Sequence, residues 1–225
     1  VYRVNLKELH IYKEKLLQMI KIGVPAGIQS ATFSISNVLI QSTINSFGSI
    51  AMAGSTAGGN IEGFVWTAMD AFTQSTLSFT GQNYGAKKFH RITKVVWYNL
   101  GLVTVVGLVL GIGAYLVGPW VLQVYSSDPE VIAYGLERML LVCTPYALCG
   151  VMNVLVGAMR GLGSSLTPMV VSIFGVCVLR VVWFYTVFPL DPSFAMLFLS
   201  YPVTWAVTAA IEVVCFFVIR KKAIA

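Results

Sequence analysis

Charge is scarce in this sequence. Of 225 residues only 11% are Asp, Glu, Lys or Arg, while 57% are hydrophobic. Soluble domains carry about 25% charged residues, so a water-soluble globule is excluded and a membrane protein is expected. No Lys or Arg falls between Lys21 and Lys87, and none between Lys94 and Arg138. The formal net charge of +6 comes from short basic clusters between apolar runs. It forms no continuous basic stripe of the kind that grips nucleic acid, so no nucleic-acid partner is expected.

Chemical motifs are missing too. There is no GxxxxGK[ST] loop, no HExxH, no GxSxG and no CxxC. Catalysis and ATP-driven pumping have nothing to rest on, and no catalytic or metal-binding residues are assigned. Cys143, Cys149, Cys177 and Cys215 all fall in apolar stretches and read as small fillers in a reducing context. His10 and His90 are flanked by lysines and read as solvated. The opening VYRVNLKELHIYKEKLLQMIK is charged throughout, which excludes a signal peptide. It reads as an amphipathic cytoplasmic connector over residues 1–21. Val1 in place of Met suggests a piece of something longer.

What remains is apolar sequence. A membrane helix needs about 20 mostly apolar residues. Six stretches qualify: residues 22–47, 59–80, 95–117, 131–156, 168–188 and 195–219. The first two are polar for membrane helices. Turn chemistry is expected in FGSIAMAGSTAGG (47–59), VGPW (117–120), SSDPE (126–130), RGLGSS (160–165) and FPLDPS (188–193). Thirteen of the fifteen basic residues then fall on one side, which places both termini in the cytoplasm. GQNYGAKKFHR (81–91) becomes a cytoplasmic turn, with Gly81 and Gly85 at the helix exit. Residues 220–225 form a basic cytoplasmic tail. The expected fold is an all-α lobe of six membrane helices.

Polar residues in the first two spans carry the functional signal. Ser30, Ser34, Asn37, Gln41 and Asn45 recur at helical spacing, as do Glu62, Trp66, Asp70 and Gln74. Such groups either bond helices together or line a polar cleft. For Glu62 and Asp70 we adopt the cleft, with both as candidate proton or cation sites. Asn37, Gln41, Asn45, Trp66 and Gln74 are candidate cleft-lining residues. Arg180 reads as a structural intramembrane charge paired with Glu62, Asp70 or backbone carbonyls, or else as a contact for an anionic substrate. Arg138 lies beside Glu137. Tyr201, Trp205, Thr208 and Glu212 form a weaker third stripe, with Glu212 near enough to the cytoplasmic end to be solvated. Pro25, Pro145 and Pro202 are expected to kink their helices, and Gly107 with Gly111 to form a close-packing face.

One series of motifs narrows the reading: IGVPAGIQSATFSISNVLIQSTINSFG (22–48), AMAG (51–54), IEGF (61–64), FTGQNYGAKKFHR (79–91) and MRGLGSSLTPM (159–169). In this order they closely resemble the multidrug and toxic compound extrusion (MATE) family of secondary antiporters, in particular its C-terminal half. The resemblance implies a twelve-helix transporter of two six-helix lobes, of which residues 22–219 would be the second. Cationic or amphipathic compounds would leave through the cleft between lobes, against inward Na+ or H+. No organic cofactor is implied. The implied partners are a small-molecule substrate, the lipid bilayer of the plasma membrane (the bacterial inner membrane) and an N-terminal six-helix lobe.

The pattern departs from the family at its first and fourth helices. Some members carry coupling acids there. Here the first has only neutral Ser, Asn and Gln, and the fourth has only Glu137. The coupling ion therefore does not carry over. Two alternatives remain, a lipid-linked saccharide flippase of the same superfamily and a truncated half-lobe that does not transport. The flippase would need several intramembrane basic residues, for which only Arg180 and Arg138 qualify.

Overall fold

Three helices here are long and apolar enough to cross a membrane, Phe89–Leu122, Leu166–Leu190 and Phe194–Ala223, or four if a bent pair is one span. The computed structural model describes residue 10 and residues 12–224. The rest of the expected connector (1–9 and 11) and Ala225 lie outside the described residues. No strand occurs among the described residues. The chain is thus a multi-pass helical membrane protein.

The helices run in order: α1 (Lys13–Ser46), α2 (Ser49–Gly85), α3 (Phe89–Leu122), α4 (Pro129–Val142), α5 (Tyr146–Gly161), α6 (Leu166–Ser172), α7 (Leu179–Thr186) and α8 (Phe194–Ile224). A π-helical turn, Ile173–Val178, joins α6 to α7. The six apolar stretches fall mostly on these helices, the fourth broken at residues 143–145 and the fifth passing through the π turn. α1 and α2 have 34 and 37 residues, ample length, but are too polar to count as spans by composition.

Several expected breaks fall elsewhere. The 47–59 segment is helical from Ser49, and the reversal needs only Phe47 and Gly48, whose φ of 96° suits glycine. Its glycines serve packing instead. A Cβ on Gly54 would strike the Val131 carbonyl oxygen of α4, and one on Gly58 would lie 3.0 Å from the Gly135 carbonyl oxygen. VGPW is no turn either, because α3 passes through Pro119 and ends at Leu122. The fourth stretch is not one rod: α4 and α5 meet at 47°, and Pro145 caps the second piece. Asp128 starts α4 by accepting the Glu130 amide at 2.9 Å, with Pro129 in the first turn.

Gly107 and Gly111 pack as expected, with α3 lying against the α4–α5 bend. A Cβ on Gly107 would sit 2.9 Å from Ala147 Cα, and one on Gly111 would strike the Cys143 carbonyl oxygen. At GQNYGAKKFHR the left-handed residue is Lys87 (φ 56°) and neither glycine, since α2 persists to Gly85. Asn83 Nδ2 donates to the Phe79 carbonyl at 2.8 Å. α2 is the hub of the core, touching α3, α4 and α5, and α5 also packs on α8. α1 touches α6, the π turn and α2 to a similar extent, and its contact with α2 is much lighter than those of α3, α4 and α5. That light contact leaves an opening between α1 and the hub.

Candidate functional site

The opening is a cavity of about 410 Å³. α1 contributes Ser30, Ser34 and Asn37, and α2 contributes Gly59, Glu62 and Trp66. Arg138 of α4, Arg180 of α7, and Tyr201 and Trp205 of α8 close it.

Glu62 and Arg138 are the most heavily bonded groups there, each with three hydrogen bonds. Arg138 Nη2 donates to Glu62 Oε2 at 2.7 Å and Nε donates to the same oxygen at 3.3 Å. Tyr146 Oη approaches Oε1 at 3.4 Å. Arg138 Nη1 reaches back to Ser55 Oγ at 2.8 Å. Gly59 makes room for this guanidinium, because a Cβ there would lie 3.1 Å from Arg138 Nη2. The small residues of α2 thus seat the arginine that its acid binds.

Arg180 is held differently. Nη1 donates to Asn37 Oδ1 at 3.4 Å, and the guanidinium carbon lies 4.0 Å from the ring centre of Tyr201. Tyr201 in turn packs edge-on against Trp205, with ring centres 5.6 Å apart. The expected pairing of Arg180 with Glu62 or Asp70 is therefore corrected: Arg138 holds Glu62. Glu137, next to Arg138 in the chain, is not its partner, because neighbours i and i+1 do not face one another on a helix.

The polar stripes divide. Asn37, Glu62, Trp66 and Arg180 line the cavity, whereas Gln41, Asn45, Asp70 and Gln74 do not. Gln41 Nε2 donates to Asn45 Oδ1 at 3.1 Å on an exposed face, and Gln74 Nε2 donates to Asp70 Oδ1 at 3.4 Å. Of the third stripe, Tyr201 and Trp205 face the cavity. Thr208 packs under Gly175 of the π turn. Glu212 is 0% exposed and accepts from Ser172 Oγ at 2.8 Å, which corrects its expected solvation. α6 lies across that face of α8 and shuts out water. Tyr146 and Asn153 also line the cavity, and an aromatic residue beside the Pro145 break was the available signal for Tyr146. Among the described residues no group of three or more His, Cys, Asp or Glu side chains could hold a metal ion.

A family model described as MatE matches residues 25–186, most of the chain. The chain belongs to the MatE family. This MatE chain is 27% identical over 168 residues to a probable multidrug resistance protein, YoeA, of Bacillus subtilis, covering 75% of this chain and 36% of that protein. It is 29% identical over 162 residues to a probable multidrug resistance protein, NorM, of Aromatoleum aromaticum, covering 70% and 34%. Its fold matches the bent form of the Vibrio cholerae MATE transporter VcmN with a TM-score of 0.84 at 19% identity, over 96% of this chain and 49% of that one. A MATE crystallised with MaL6 matches at 0.87 and 15% identity, over 98% and 50%. The MatE chain thus spans about a third of the length of these curated relatives and about half of the solved transporters.

Proposed function

We propose that this chain is the second, six-helix lobe of a secondary active multidrug efflux antiporter in the plasma membrane, with both termini cytoplasmic. The observation that carries the reading is the Glu62–Arg138 pair, set in a small-molecule-sized cavity inside a MatE fold. α1 and α2 cross the bilayer in spite of their polarity because their polar faces line the cleft and meet the opposite lobe. The exported molecules are amphipathic or cationic compounds with an apolar body, seated against Phe33, Trp66 and Trp205.

Glu62 is the coupling group. An entering H+ adds to a carboxylate oxygen, or Na+ occupies it. Either neutralises the charge that holds Arg138, frees the guanidinium and loosens the α2–α4 contact that the pair bridges. Rocking of two lobes around a fixed site then follows the alternating-access scheme. Asp70 is a second acid farther along α2, beside Gln74 and off the cavity.

The test is efflux of a fluorescent cationic dye from cells expressing the full polypeptide that carries this chain. Glu62→Gln is expected to abolish export at matched expression, and Asp70→Asn to retain it. Wild-type pumping by Glu62→Gln would sink the coupling assignment.

A further inference from the structure

Only one of the eight residues of α7 is buried, and it is Arg180, 4% exposed. A membrane helix turns its charged side chains to the bundle interior or to a polar cavity; here the single inward residue is the cation, aimed into the cavity. Asn37 and Tyr201 solvate it without neutralising it. Its Nε is buried and has no hydrogen-bond partner. Among the described residues the one ion pair is Arg138–Glu62, so no carboxylate there lies within salt-bridge reach of Arg180. The charged groups lining the cavity are Glu62, Arg138 and Arg180, and the first two cancel. One positive charge is left facing a chamber lined by aromatic side chains and by neutral serines and asparagines. An unpaired buried cation is costly, and a guanidinium presents a planar fork of donors suited to carboxylate or phosphate.

We propose that Arg180 anchors an anionic group, a carboxylate or a phosphate ester, carried by an aromatic small molecule. This rests on the reading of the cavity as a substrate cleft. It narrows the amphipathic compounds of that reading to those with a negative charge next to the apolar body. Phe33, Trp66 and Trp205 supply the stacking surface, and Asn37 orients the fork. Arg138 is unavailable for the role while Glu62 holds it.

The test is calorimetric titration of the full polypeptide, purified in detergent, with 1-naphthoate, methyl 1-naphthoate, 1-naphthyl phosphate and a cationic dye. Naphthoate is expected to bind about tenfold or more tightly than its ester, the scale of one charge-assisted hydrogen bond. Arg180→Gln is expected to bring acid and ester within about twofold of each other, with ester affinity retained, and Arg180→Lys to restore part of the difference. Naphthyl phosphate binding above naphthoate would mark phosphate as the preferred source of the charge. Equal affinity of acid and ester in the unmutated protein overturns the proposal, and that arm needs no variant to fold. A preference that survives Arg180→Gln overturns it as well. Dye and ester binding without acid preference removes the anion assignment alone, whereas no binding of any probe removes the cleft reading with it.

Discussion

Arg138 and Glu62 stand 76 residues apart in the chain and meet at 2.7 Å, with only 15% and 16% of their side chains exposed. The pair ties α4 to α2 in a setting where each charge alone would be poorly solvated. Removing one partner strands the other, and removing both strands neither.

A double-mutant cycle should therefore show coupling. Glu62→Gln and Arg138→Gln are each expected to lower the unfolding temperature in detergent. The double variant should lose less than the sum, with a coupling energy of about 0.5–3 kcal/mol. Additive losses would mean that the pair contributes nothing to holding α2 on α4.

The helix contacts make a prediction about two neighbouring glycines. A Cβ at Gly111 strikes the Cys143 carbonyl oxygen, while one at Gly113 meets nothing within 4 Å. Gly111→Ala is expected to destabilise by about 1–3 kcal/mol through overpacking. Gly113→Ala should be neutral or slightly stabilising, since alanine favours the helix. Thermal melting monitored by size-exclusion chromatography separates the two, and equal losses would refute the close contact.

Ser172 and Glu212 form a wholly buried pair at 2.8 Å, in which the second glutamate oxygen has no partner. Ser172→Ala should cost about 1–3 kcal/mol, because it leaves the carboxyl group without its donor. Ser172→Ala combined with Glu212→Leu should recover most of that loss, since both polar partners are then gone. No recovery in a denaturation series would show that Glu212 has another stabilising contact.

Topology can be read by cysteine labelling in a background with the native cysteines replaced. Ser127→Cys and Pro192→Cys, both at exposed positions, should react with an impermeant maleimide applied outside intact cells. Lys88→Cys and Lys222→Cys, also exposed, should react only after the membrane is opened. Labelling of Lys88→Cys from outside would overturn the cytoplasmic placement of the α2–α3 turn.

Much of the helical framework is legible in the sequence because it depends on local pattern. Apolar length, proline placement and the Asp128–Pro129 start are one-dimensional signals, and the location of the apolar helices follows from them. The errors have local causes as well. AMAGSTAGG looks like a loop because small residues serve both turns and tight helix contacts, and only the neighbour decides which. Here the neighbour is α4, whose backbone approaches Gly54 and Gly58 too closely for a side chain.

The site was half legible. Spacing put Asn37, Glu62 and Trp66 on polar faces that the structure turns to the cavity, but it extended those faces to Gln41, Asn45, Asp70 and Gln74, which pair as Gln41–Asn45 and Gln74–Asp70 off the cavity. A helical stripe shows which residues share a side and leaves open how far along the helix a partner lies opposite. The α4–α5 bend turns Arg138 and Tyr146 toward α2, and the π turn precedes the short helix that sends Arg180 inward.

The sequence by itself determined that this is a helical membrane protein with a MatE pattern of motifs and with its basic residues in short clusters between apolar runs. Those properties arise from composition and local order. Only the tertiary structure decided that Arg138 holds Glu62, that among the described residues no acid pairs with Arg180, and that Glu212 is buried against Ser172 of α6. Each depends on the rotation and crossing of helices distant in sequence, which no local spacing specifies.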